Sequence, residues 1–203
     1  MNYLVFKEKM FALACFNTDQ VYAWQPGFDR NNLHRWTSKG MLIRLKQGLY
    51  PFPEYKEKSD FAMYFANRIY KPSYISLHTA LSFFGIIPEA VIQITSVSPL
   101  KTAFFSNEFA QYSYKTITNG LMFGYQNSTF AVDRVMQMAT PEKALLYLLY
   151  LYPEYDTANK MEGLRLDEDF LHNDLSDFSD FSDFSDRSDR SDRSDLASFH
   201  LSY

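Results

Sequence analysis

Residues 28–53 read FDRNNLHRWTSKGMLIRLKQGLYPFP. Three signals follow one another in this stretch, and together they decide the fold. Asp29 is a good N-cap, with Phe28 before it and Leu33 at the fourth helical position, the two ends of a hydrophobic staple. Leu33 and Trp36 lie three apart and share one side of the helix. Gly40 supplies a left-handed stop, and Met41 is the apolar contact that follows it. The remaining residues, Arg30, Asn31, His34, Arg35 and Ser38, face outward. The next segment, MLIRLKQGLYPF, predicts a two-stranded ribbon. Leu42, Arg44 and Lys46 alternate with Ile43 and Leu45, Gln47-Gly48 turns the chain, and Leu49-Tyr50 returns it. Pro51 and Pro53 end the strand. A polar-faced helix of this size fits a major groove, where Arg and Asn make bidentate base contacts. Arg44 and Lys46 would reach phosphates or the adjacent minor groove, and Lys39 would hold phosphate with them. The expectation is a recognition helix followed by a wing, with double-stranded DNA as the partner. An isolated helix of this kind is usually solvated surface; the succession of elements is what favours DNA. His34 has no His or Cys at metal-site spacing and is read as a surface residue.

Upstream, residues 2–15 read as a first helix with Leu4, Met10, Phe11 and Ala14 as its apolar positions. Asn17 and Gln20 have the spacing of a capping box, and Phe16 and Val21 the spacing of a staple. The second helix should therefore run from Thr18 to about Trp24, where Pro26 and Gly27 end it. Residues 1–55 are thus expected to be a winged helix-turn-helix domain.

Residues 56–175 read as a mixed domain of helices around a small antiparallel sheet, which makes the whole chain α+β. Ser59 or Asp60 can cap a helix that ends at Ile69, with Phe61, Phe65 and Ile69 on one face. Ser76 can cap the next helix, whose apolar side is Leu77, Ala80, Leu81 and Phe84 and whose stop is Gly85. Val91–Val97, Thr102–Ser106, Gln111–Ile117, Leu121–Tyr125 and Phe130–Val135 are strand candidates. Asn-Glu, Asn-Gly and Asn-Ser pairs separate the later ones as turns. Thr140-Pro141 starts a helix with Pro at its first position. Its run ALLYLLYLY is apolar nearly all round, so both faces should be covered. No phosphate loop, dinucleotide fingerprint, zinc-protease spacing or nucleophile elbow is present. No catalytic residue, metal site or cofactor is expected, and the chain does not read as an enzyme.

The net charge of -4 conceals an asymmetry: +4 over residues 1–58, +1 over 59–153 and -9 over 154–203. Only the N-terminal third is biased toward a polyanion. Cys15 is the only cysteine, which fits a reducing compartment. The first residues lack the order of a secretory signal, and no apolar run approaches the roughly 20 residues of a membrane span. The expected location is the cytoplasm, with no membrane partner. Residues 161–175 can form an amphipathic segment. From Ser176 to Tyr203 the chain repeats Ser-Asp-Phe and then Ser-Asp-Arg, which reads as an acidic low-complexity tail, disordered in the absence of a partner.

Several motifs resemble those of the AbiEi antitoxin family of bacterial type IV toxin–antitoxin systems. These are RLKQGLYPFP, PSYIS-x-x-x-AL-x-x-x-G-x-IPE over Pro72–Glu89, ITSVSPLKTAFF, and PEKAL over Pro141–Leu145. Gln47 stands where the family's RGxY motif has Arg, and the Ser-Asp repeat replaces the longer helical end of the family. The resemblance implies a winged helix-turn-helix that binds inverted repeats in its own promoter. It also implies a domain that counteracts a nucleotidyltransferase-like toxin without a stable complex. An orphan regulator or a protein-interaction module is the alternative.

Overall fold

The computed structural model describes residues 1–58, 61–89, 91–130, 134–155 and 163–166. Residues Met1–Arg165 form one compact unit. The first helix, α1 (Tyr3–Met10), is capped by Asn2, whose side chain accepts the Leu4 N–H at 2.9 Å. It stops short of the expected span of 2–15. Phe11–Leu13 tightens into a 3-10 turn, Ala14 takes a positive φ of 61°, and Cys15–Asn17 becomes a strand, β1. A helix continued through Ala14 would forfeit the pairing that β1 makes with the segment after the third helix. The apolar side also differs from the expected one. Leu4 is 70% exposed, whereas Phe6 and Met10, four apart, are buried.

The second helix, α2 (Thr18–Trp24), begins as read. Gln20 donates its N–H to the Asn17 side chain, and the Gln20 side chain accepts the Asn17 N–H, both at 2.8 Å. The third helix, α3, is regular over Asn31–Ser38. Its N-cap position falls on Arg30, one residue later than the expected Asp29, and Arg30 makes no side-chain cap bond; Asp29 still accepts the Asn31 N–H with its carboxylate at 2.9 Å and the Asn32 N–H with its carbonyl at 3.0 Å. Gly40, at φ +68°, closes it: the Gly40 N–H donates to Thr37 O at 3.0 Å and the Met41 N–H to Trp36 O at 2.9 Å. That pair of reversed bonds satisfies carbonyls a helix end otherwise leaves open.

The ribbon forms in part. Ile43 N–H donates to Pro51 O at 3.1 Å, Leu45 N–H to Leu49 O at 3.0 Å, and Leu49 N–H to Lys46 O at 3.2 Å. The returning strand, β2 (Leu49–Pro51), also pairs antiparallel with β1, in the register Cys15↔Pro51, Phe16↔Tyr50 and Asn17↔Leu49. The expected alternation fails at its first residue. Leu42 and Ile43 are both buried, because Leu42 still belongs to the helix stop and donates its N–H to Trp36 O at 3.3 Å. Alternation begins at Ile43, after which Arg44 is exposed and Leu45 buried. Phe6 is the hub of this module's core, with ring centroids 4.6 Å from Trp36, 5.3 Å from Phe16 and 5.6 Å from Phe28. Such edge and offset contacts add to the area the rings bury.

A 3-10 turn over Pro53–Glu57 leads on, and the expected cap at Ser59 or Asp60 lies outside the described residues. Helix α4 (Phe61–Ile69) buries Phe61, Phe65 and Ile69 as the spacing predicts. After β3 (Tyr74–Ile75) comes α5 (Leu77–Phe83). Ser76 occupies its N-cap position but makes no side-chain cap bond. Thr95 takes over that role from a strand: its Oγ1 accepts the Thr79 N–H at 3.2 Å and donates to Ser76 O at 2.8 Å.

The sheet has six strands: β3, β4 (Gln93–Ser98), β5 (Ala103–Ser106), β6 (Gln111–Thr116), β7 (Tyr125–Phe130) and β8 (Arg134–Ala139). Their order is β5-β6-β4-β3-β8-β7. It is mixed rather than antiparallel, because β4 pairs with β6 and β3 with β8 in parallel. For β4 and β6 the cause is the outer placement of β5, which lets β6 return between β5 and β4 in the direction of β4. The last two strand candidates are also displaced. Leu121–Tyr125 is mostly a 3-10 turn over Asn119–Leu121 and its exit, and Phe130–Val135 straddles two strands. Asn127-Ser128 is not a turn; it sits inside β7, opposite Gln137 and Met136.

The register fixes the layers. Ile75, Met138, Ser96 and Tyr114 share one face, under α4, where the Tyr114 hydroxyl donates to Ala66 O at 2.8 Å. Tyr74, Thr95 and Val97 point to the opposite face, where α5 and α6 (Pro141–Leu151) pack. Thr140 caps α6, and Pro141 opens it. That helix is not covered on both faces: Leu146 and Leu149 are half-buried and Tyr150 is 47% exposed. It does bury one cation. The Lys143 ammonium lies 3.6 Å from the centre of the Phe123 ring and 4.6 Å from that of Tyr147. Of the expected segment 161–175 only residues 163–166 are described, and the Ser-Asp repeat lies outside the described residues.

Candidate nucleic-acid interface

The face of α3 opposite Leu33 and Trp36 carries Asn31, His34, Arg35 and Ser38, all exposed. The spacing of three and four residues stacks them in one stripe. Arg30 precedes the stripe and Lys39 follows it, both exposed. The stripe stays outward because the other side is held in three places. Leu33 and Trp36 are buried, the Schellman closure fixes the C-terminal end, and the Tyr3 hydroxyl of α1 donates to Met41 O at 2.8 Å.

One residue of the helix had no assigned role in the sequence. Asn32 is 5% exposed, and its Oδ1 accepts a hydrogen bond from the Arg35 guanidinium. Arg35 therefore leaves the helix surface in a preset direction, with the rest of its donor fork available. The signal existed in the three-residue separation of Asn32 and Arg35, but an Asn next to Asn31 reads as one more exposed polar residue.

On the ribbon, Arg44 is exposed and Lys46 half-buried beside the Gly48 turn. Burial pushes the Lys46 ammonium below its ordinary value, and the nearby charge of Lys71 pushes in the same direction. Among the described residues the ion pairs are Lys7–Glu54 and Lys56–Glu108. No carboxylate there neutralises Arg30, Arg35, Lys39, Arg44 or Lys46. The eight sequence-selected residues thus occupy one helix and the hairpin that follows it, seven of them exposed and one half-buried.

Elsewhere the surface is less specific. An open cleft of about 390 Å³ is lined by Tyr3, Lys7, Gly40, Met41, Pro53, Glu54 and Glu57, and Lys7 is already spent on Glu54. His78 touches Tyr155 at 3.5 Å, and burial holds its imidazole below the usual value. Among the described residues no three His, Cys, Asp or Glu side chains gather as metal ligands. No helix among them is long and apolar enough to cross a membrane. No protein-family model matches the chain, and no curated protein matches it.

Proposed function

We propose that the chain is a cytoplasmic, sequence-specific binder of double-stranded DNA, with a winged helix-turn-helix reader in residues 1–55. The observation that carries the reading is the α3 stripe. Four hydrogen-bonding side chains, Asn31, His34, Arg35 and Ser38, are exposed on a helix whose reverse side is locked into an aromatic core. An uncompensated cationic hairpin follows it directly. The order helix, strand, helix, helix, hairpin, with β1 completing the hairpin's sheet, supports the winged form.

In this reading α3 enters the major groove, with Arg30, Asn31, His34 and Arg35 at base edges. Ser38, Lys39, Arg44 and Lys46 hold the backbone. Occupancy of inverted repeats in the chain's own promoter then represses it. The antitoxin half, opposition to a nucleotidyltransferase-like toxin without a stable complex, is supported by the motif resemblance over Pro72–Glu89 and Pro141–Leu145.

Footprinting on the chain's own upstream DNA tests the reader. Arg35→Ala is expected to relax base discrimination at one position and to cost about 1–3 kcal/mol there. Lys46→Ala should weaken all sequences alike and lower the salt slope by about one. Unchanged discrimination in Arg35→Ala would remove Arg35 from the interface.

A further inference from the structure

The six-stranded sheet ends at β7, which among the described residues pairs with β8 and with no strand on its other side. The register runs unbroken from Tyr125↔Ala139 to Phe130↔Arg134, with no bulge. A strand in this position directs the N–H and C=O of alternate residues outward, a row of donors and acceptors at the spacing of another strand. Tyr125, Gln126, Asn127 and Thr129 are exposed, and Ser128 is half-buried.

Edges left to water are blunted by charged side chains, Pro or bulges, because a bare edge recruits other strands. The strand YQNSTF has none of these. The neutrality reaches well past it. No Asp, Glu, Lys or Arg lies between Lys115 and Asp133, in a chain of which 22% of residues are charged. The opposite edge, β5, differs. It has four residues, and both of its ends are engaged. The Tyr70 hydroxyl donates to Lys101 O at 2.9 Å, and the Asn107 side chain to Leu45 O at 3.3 Å.

We propose that β7 pairs antiparallel with β7 of a second copy of this chain, so that the two sheets join across a two-fold axis. The edge suits its own copy because it is neutral along its whole length, so self-pairing brings no like charges together. Two-fold symmetry makes facing residues share a sheet face, so one residue on the axis faces itself. For fullest overlap of this six-residue strand, that residue is Asn127 or Ser128. With Asn127 on the axis, Tyr125 of each copy faces Thr129 of the other, an aromatic against β-branched pair formed twice. The Tyr125 ring is already held on that face, 4.9 Å from Tyr74. A two-fold dimer also brings two α3 readers to one operator, as an inverted repeat requires. That consequence rests on the DNA-binding reading above; the strand pairing does not.

The test is sedimentation of the full chain without DNA, over a concentration series across the micromolar range, where small interfaces dissociate. The mass should rise with concentration from 23.8 kDa toward twice that value. Asn127→Lys puts like charges at or beside the axis and should weaken the dimer about tenfold or more with an unchanged thermal melt. Under oxidising conditions Asn127→Cys or Ser128→Cys should crosslink to a dimer, since residues facing each other across an antiparallel pair lie within disulfide reach. The wild type, whose Cys15 is buried, is the control. If Asn127→Lys misfolds, the crosslink decides alone. A chain that stays at the mass of one copy, a dimer as tight in Asn127→Lys as in the wild type, or crosslinking at neither position overturns the pairing. With no DNA present, each of these outcomes leaves the α3 reader to its own footprinting test.

Discussion

Arg35 and Asn32 show how far single residues could be read. Arg35 was selected by its position on the polar face. Its restraint by a buried neighbour depends on where Asn32 points, and that is set by the packing of Leu33 and Trp36 beneath it. Cys15 lies among cations that favour its thiolate, yet burial outweighs them and pushes the thiol up to about 11. Alkylation of the folded chain at pH 8 should therefore be many-fold slower than in urea; equal rates would show the thiol to be accessible. Lys143 moves the other way, held down to about 8 by burial. Its folded form releases a proton while the unfolded form, near the ordinary 10.5, still holds one. Between about pH 8 and 10.5 the unfolded state binds more protons, so this group adds stability as pH rises. Burial of Cys15 and the tyrosines works in the opposite direction above about pH 9, so the comparison must be by difference. Urea titrations of the wild type and Lys143→Met should show that the variant lacks this gain; parallel pH profiles would count against it.

At the level of elements, local chemistry was legible wherever a few neighbouring residues complete a motif. The Asn17–Gln20 box, the Gly40 stop and Thr140-Pro141 each settle within five residues. The φ of +68° at Gly40 disfavours any L side chain, while a Cβ there would meet nothing within 4 Å. Gly40→Ala should therefore cost about 1–2 kcal/mol from backbone conformation alone, and Gly40→Asn less. Chemical denaturation would show a shifted midpoint at constant m; a cost as large for Asn as for Ala would contradict the conformational origin. Strands were less legible. β1 was absorbed into the first helix, since Cys15–Asn17 gains its extended form from pairing with Leu49–Pro51 more than thirty residues away. β8, RVMQMA, carries little β-branched signal and is held by Tyr125–Phe130 on one side and Ile75 on the other. Asn127-Ser128 has turn chemistry and sits in a strand because its cross-strand partners outweigh local preference.

For the whole molecule, charge distribution matters more than net charge. Residues 176–203 contain seven Asp and three Arg, so removing them takes the chain from -4 to neutral. A chain ending at Leu175 should keep the same footprint and associate faster with DNA at low salt, with the difference closing as salt rises. Loss of the footprint would mean that the tail takes part in binding. The sequence by itself determined the three-helix order, the caps, the outward stripe of α3 and the turn at Gly48, because these rest on interactions spanning a few residues. Only the tertiary structure decided which strand completes the hairpin, that the large sheet is mixed, that Thr95 caps a helix from another element, and that Arg68 and Arg134 meet at the Tyr64 ring. Long-range pairing and the packing of side chains from separate elements depend on distances in space, which local periodicity does not encode.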